Sequence, residues 1–117
     1  MFRKKENLKK QIIPNMKGGL GEFRLEHIVD NPEELGNKGR LYAKGILPSG
    51  SSVGMHTHEG DMEICHFLSG TGIVKDGDKE YIVKAGDVNI CFSGKNHEII
   101  NNSSEDLIYT VLVLYAE

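Results

Sequence analysis

The chain has 117 residues, the size of one ordinary domain, which excludes a large multidomain enzyme. Hydrophobic residues make up 38% and charged residues 26%, with 14 glycines and 3 prolines, a balance that suits a turn-rich folded chain and excludes disorder throughout. A net charge of −3 gives no footing for nucleic acid, so the expected partner is a small molecule.

Arg3, Lys4, Lys5, Lys9, Lys10 and Lys17 against Glu6 give residues 1–20 a charge of +5, and the remainder carries −8. No apolar face recurs there at helical spacing, so residues 1–18 read as a basic, partly ordered leader and not as a membrane anchor. The opening runs into Gln11-Ile12-Ile13-Pro14 and Gly18-Gly19 without a continuous apolar stretch, which argues against a secretory signal and for a cytoplasmic protein. Cys65 and Cys91 form no C-x-x-C pair and read as reduced thiols.

From residue 22 onward, short β-prone runs alternate with Gly, Asn and Asp, predicting strands near 22–29, 40–47, 52–58, 61–68, 71–76, 79–84, 88–92, 97–101 and 107–115. Asp30-Asn31-Pro32-Glu33-Glu34-Leu35-Gly36 carries a capping residue, a first-turn proline, early acids and a closing glycine, which predicts one helical turn. Asp76-Gly77-Asp78 reads as a tight hairpin. The terminal apolar run from Leu107 is about half the roughly 20 residues of a membrane span and reads as a buried strand. No helix is long enough for a βαβ crossover, so the fold class is all-β, an antiparallel sandwich or a jelly-roll barrel spanning residues 19–117.

The chemistry is concentrated in the middle. His56-Thr57-His58 places two imidazoles at i and i+2, on one face of a strand. Glu63 follows after a connection short enough to fold back beside them, and His97 comes from a separate strand. Three neutral imidazoles and one carboxylate suit a divalent transition metal (Mn, Fe, Co, Ni, Cu or Zn) better than calcium.

The spacing of these residues forms two patterns. One runs Gly50, five residues, His56-x-His58, four residues, Glu63, six residues, Gly70; the other runs Gly86, five residues, Phe92, one residue, Gly94, two residues, His97, three residues, Asn101. Together they resemble the two motifs of the cupin family, and the 15 residues between Gly70 and Gly86 resemble the spacer of small microbial members. The resemblance implies a jelly-roll (double-stranded β-helix) barrel, metal ligation by His56, His58, Glu63 and His97, and a homodimer. Phe92 stands where the family usually has proline. Val53 stands where bacterial oxalate decarboxylases carry a substrate-binding arginine, so a dicarboxylate clamp would have to use Arg40 or Arg24.

Two functions fit. One is an enzyme, an isomerase, decarboxylase or dioxygenase, acting on a hydroxy acid, keto acid or sugar derivative chelated by the metal; the other is a non-catalytic module that binds or senses such a molecule. Strand parity puts Cys65 and Phe67 inside with Glu63, and Met62, Ile64 and His66 outside as a strip for a subunit contact. Cys65 reads as a small buried hydrophobe, His27 as structural, and Glu59 and Asp61 as a solvated turn. Phe67, Ile90, Phe92, Ile99 and Val111 are expected to line the pocket, while Tyr42, Lys44 and Tyr109 are acid or base candidates of unread facing.

Overall fold

Leu107–Tyr115 alternates buried and half-buried side chains along almost its whole length, the pattern of a strand with one face on a core. In the computed structural model, which describes residues 1–116, it is the last of ten strands. They are β1 Lys9–Pro14, β2 Glu22–His27, β3 Gly39–Leu47, β4 Ser52–Thr57, β5 Asp61–Ser69, β6 Thr71–Asp76, β7 Lys79–Lys84, β8 Val88–Cys91, β9 Asn96–Ile100 and β10 Leu107–Tyr115. Nine of them fall on the runs read from the sequence. Three one-turn 3₁₀ helices accompany them where one turn was expected, at Lys5–Asn7, Met16–Gly18 and Pro32–Leu35. The third has the anticipated caps: Asn31 accepts from the Glu34 N–H, and Gly36 closes the turn in the left-handed region.

The strands form two antiparallel sheets in the orders β1-β2-β3-β10-β5-β8 and β4-β9-β6-β7. This is a jelly-roll, although the two sheets do not join into one closed hydrogen-bonded barrel. One apolar cluster fills the space between them, with Leu47, Phe67, Leu107, Tyr109 and Val113 from the first sheet and Val74 and Ile99 from the second. Phe23 stacks on Tyr109 at 5.5 Å between ring centroids, and Phe67 leans on the same ring at 5.0 Å.

Two bulges shape the end of the sandwich that carries the histidines. Val53 pairs with Ile99 but His56 pairs with His97, so β4 holds one more residue than β9 over that step, and both Val53 and His56 face inward. In β3, Val113 pairs with Leu41 and Leu114 with Gly39, so Arg40 has no opposite residue and is the bulged position.

β1 lies inside the segment read from sequence as leader, and no strand was expected there. Its residues Lys9-Lys10-Gln11-Ile12-Ile13-Pro14 show one half-buried side chain, Ile13, and the strand pairs with β2 alone, as an edge strand. Lysine and proline are what an edge tolerates and what apolar alternation cannot reveal. Arg3 is tied down through Glu34, with Nη1 and Nη2 donating to its two carboxylate oxygens at 3.0 and 2.7 Å.

Candidate metal centre

His56 and His97 face each other across β4 and β9 as a directly paired residue couple, which brings their ring centroids to 4.7 Å. His58 lies one residue beyond β4, held by its own N–H to Lys95 O and by its carbonyl to Gly94 N–H, and its ring centroid is 5.0 Å from that of His56. Glu63 enters from β5 in the other sheet, within 3.1 Å of His97 Nε2 and 3.7 Å of His58 Nε2. One ligand atom from each of these four residues lies within 4.8 Å of all the others, a set that can hold a metal ion.

Every ring is oriented from behind. His56 Nδ1 donates to Gly54 O at 2.7 Å, His58 Nδ1 to Asp61 Oδ1 at 2.8 Å, and His97 Nδ1 to Asn89 Oδ1 at 2.7 Å. The tautomers are assigned from these oxygen acceptors, which place each proton on Nδ1 and leave Nε2 as a lone pair. The three Nε2 atoms converge, with His97 Nε2 3.1 Å from that of His56 and 3.3 Å from that of His58. Cys65 Sγ donates to Glu63 Oε1 at 3.3 Å, so the carboxylate is oriented too.

Burial and neighbouring charges shift His56, Glu63, Asp61 and Cys65. Burial lowers the His56 imidazolium, favouring the neutral ring. Burial pushes the Glu63 carboxyl up, but positive charge on the His97 and His58 side outweighs it and holds it below the ordinary value, the same stabilisation a cation among the rings would give. Asp61 is likewise lowered, its burial outweighed by the bonds to His58 and Arg40. Burial pushes the Cys65 thiol well up, aided by Glu63, so it is a neutral donor and not a thiolate.

His56, His58 and Glu63 open onto a cavity of about 80 Å³ whose walls include Phe23, Val53, Ile99, Tyr109 and Val111, with Met16, Lys17 and Arg40 also lining it, while His97 lies fully buried behind them. Ile99 and Val111 are where the sequence put them. Ile90 and Phe92, also expected as lining, are 41% and 58% exposed, because the inward parity of β8 belongs to Asn89 and Cys91. Phe92 begins a turn closed by the Lys95 N–H to its carbonyl, with Gly94 at φ 85 as the residue that permits it. The turn therefore forms without the proline. Among the acid or base candidates Tyr109 faces inward, while Tyr42 and Lys44 lie on the outer parity of β3, Lys44 Nζ reaching Glu26 at 4.0 Å.

The cupin domain family matches residues 44–114, more than half of the chain. The chain belongs to the cupin family. This cupin is 43% identical over 102 residues to the oxalate-binding protein of Thermotoga maritima, covering 87% of this chain and 84% of the other. It superposes on the crystal structure of a predicted oxalate decarboxylase from Thermotoga maritima with a TM-score of 0.92 and 39% identity, over 99% of this chain and 100% of that one. KdgF from Halomonas sp. shares the fold at a TM-score of 0.75 and 12% identity, over 99% and 96% of the two chains.

Sequence reasoning missed the residues behind the four clustered side chains in this cupin. Asn89 lies on a strand with no motif residue, and Asp61 was read as part of a solvated turn. Their signal was present only in part: Asn89 has the inward parity of Cys91, and an Asp three residues after His58 can reach back to its ring. Which polar residue meets which ring depends on strand pairing. Of the two arginines proposed as a clamp, Arg40 lines the cavity, while Arg24 pairs with Glu22 at 2.6 Å on the surface.

Proposed function

We propose that this cupin binds a divalent transition metal (Mn, Fe, Co, Ni, Cu or Zn) through His56, His58, Glu63 and His97, and through it holds one small chelating acid of about the size of oxalate. The convergence of the three Nε2 atoms carries the reading. With each Nδ1–H committed to an oxygen, three lone pairs meet at 3.1 and 3.3 Å, an arrangement that repels unless a cation lies among them. A proton bridges one pair of atoms, whereas a metal ion joins all three nitrogens and the carboxylate. When bound, such an ion supplies positions for two ligand oxygens and polarises them.

Cavity size narrows the ligand. About 80 Å³ is far below the roughly 300–1,000 Å³ of pockets that enclose drug-sized molecules, which favours two- or three-carbon acids over sugar derivatives within the class read from sequence. The relative named as an oxalate-binding protein supports the same class. Binding is favoured over turnover because, among the described residues, no carboxylate or imidazole besides the four ligands faces the cavity to serve as a general base. Tyr109, whose phenol burial pushes well up, stays a neutral donor.

The protein acts as a cytoplasmic homodimer, with residues 1–18 as an accessory segment to the domain at 19–117. The outer strip of β5 and β8 supports the dimer: His66 is exposed, and Val88 and Ile90 are 55% and 41% exposed beside it. The buried free thiols of Cys65 and Cys91 support a reducing compartment. Thermal shift of the metal-loaded and the EDTA-stripped chain with oxalate, pyruvate and glucose tests the ligand reading. Oxalate or pyruvate is expected to stabilise the loaded form alone. Stabilisation that survives stripping, or by glucose alone, contradicts chelation, and steady consumption of the acid makes the protein an enzyme.

A further inference from the structure

We infer that Lys17 and Arg40 form a cationic rim at the cavity mouth that selects a doubly negative chelating ligand over a singly negative one. The inference rests on the reading of the cavity as a metal site for a small acid, and it concerns which side chains read the part of the ligand turned away from the metal ligands.

Two backbone irregularities bring these cations to one opening. Arg40 is the bulged residue of β3, and a bulge re-aims a side chain that the strand's alternation would have turned away. Its Nε donates to Asp61 Oδ2 at 2.9 Å, while neither Nη has a hydrogen-bond partner among the described residues, leaving that edge of the guanidinium available at the mouth. Lys17 comes from a different part of the chain and holds a left-handed conformation, φ 54, which side-chain-bearing residues rarely adopt.

The surroundings impose that conformation. Gly18 N–H donates to Asn15 O, Gly19 N–H to Met16 O, and Asn15 Nδ2 to Gly19 O, closing a tight turn around Lys17. The turn is seated on β4 by Leu20 N–H to Ser52 Oγ and by close backbone approaches at Gly19 and Gly54, where a Cβ would collide with the carbonyls of Ser52 and Lys17. Lys17 has no ion pair among the described residues and lines the same cavity as His56, His58 and Glu63.

Charge counting gives the preference its sign. A divalent ion on one carboxylate, Glu63, leaves one positive charge uncompensated. Arg40 is offset by Asp61, and Lys17 adds a second positive charge. A dianion neutralises the mouth, whereas a monoanion leaves it charged. Oxalate also turns two oxygens outward when its other two chelate, while glycolate, chelating through its hydroxyl and one carboxylate oxygen, turns out only one.

Isothermal titration of oxalate and of glycolate into the cobalt-loaded full chain tests this, with Lys17→Gly and Arg40→Gln as variants. Lys17→Gly relieves the left-handed strain, so it is expected to be at least as heat-stable as the parent. Lys17→Gly is expected to weaken oxalate about tenfold and to leave glycolate within about threefold, while Arg40→Gln, which also loosens Asp61 behind His58, is expected to weaken both acids but oxalate more than glycolate. Equal weakening of both ligands, or no change in either, overturns the rim while the metal-site reading stands. No binding of either acid to the loaded parent overturns both.

Discussion

Asp61 places one carboxylate oxygen 2.8 Å from His58 Nδ1 and accepts from Arg40 Nε at 2.9 Å on the other. A ligand imidazole is thus fixed in tautomer and rotation by a carboxylate that is itself fixed by an arginine, a pattern that raises ligand basicity. Replacing Asp61 by Asn removes the charge but keeps the shape. Asp61→Asn is expected to fold normally and to lower metal affinity by about 10–100-fold, measured by competition with a chromogenic chelator. An unchanged affinity would show that Asp61 merely closes the turn.

Asn89 has the same task for His97 but sits deeper, since both residues are buried. Asn89→Ala removes the acceptor and strands the His97 Nδ1–H away from water. It is therefore expected to cost about 1–3 kcal/mol of stability in the metal-free protein as well as metal affinity. Chemical denaturation of the stripped variant checks the first part. A variant that loses metal affinity at full stability would mean that water replaces the amide.

The pH dependence follows from His56. Its folded-state value is lowered below the ordinary 6.5 by burial, so the stability contributed by its neutral ring is present above 6.5 and is lost as pH falls through the lowered value. Metal needs the same neutral ring, so both effects act in one direction. Heat stability of the loaded protein is expected to hold from alkaline pH down to 6.5, then to fall with release of the ion. Release on raising the pH instead would contradict the sign.

Much of the fold was legible because β2, β6, β8, β9 and β10 keep an in–out alternation and turn residues such as Gly70, Gly77, Gly86 and Asn101 set strands apart, so boundaries fell within two residues of those expected. The clustering of His56, His58, Glu63 and His97 was legible because their spacing survives as sequence distance. β1 was not, since an edge strand of Lys, Gln and Pro buries almost nothing. Arg40 was legible only as one of two candidates, because a bulge is a property of two paired strands and leaves no mark in one. Ile90 and Phe92 were misplaced for a related reason: apolar type suggested an inward side chain, while pairing with β5 gave that parity to Asn89 and Cys91.

In the turn between β2 and β3, Glu34 is lowered from 4.5 to about 2, first by the Arg3 hydrogen bonds and then by the Asp30 N–H. A lowered carboxyl gives stability that is present above 4.5 and is lost as pH falls through about 2. Acidification toward that value is expected to release residues 1–8 before the sheets open, seen as earlier loss of amide-exchange protection there, and Glu34→Gln is expected to show the same release at neutral pH. Loss of protection uniform along the chain would contradict it.

The most direct test of the metal centre is an anomalous difference map from a crystal of the cobalt-loaded protein. One peak is expected among Nε2 of His56, His58 and His97 and the carboxylate of Glu63, at about 2.0–2.2 Å from each ligand atom. No peak there, or a peak that leaves out His97, contradicts the assignment.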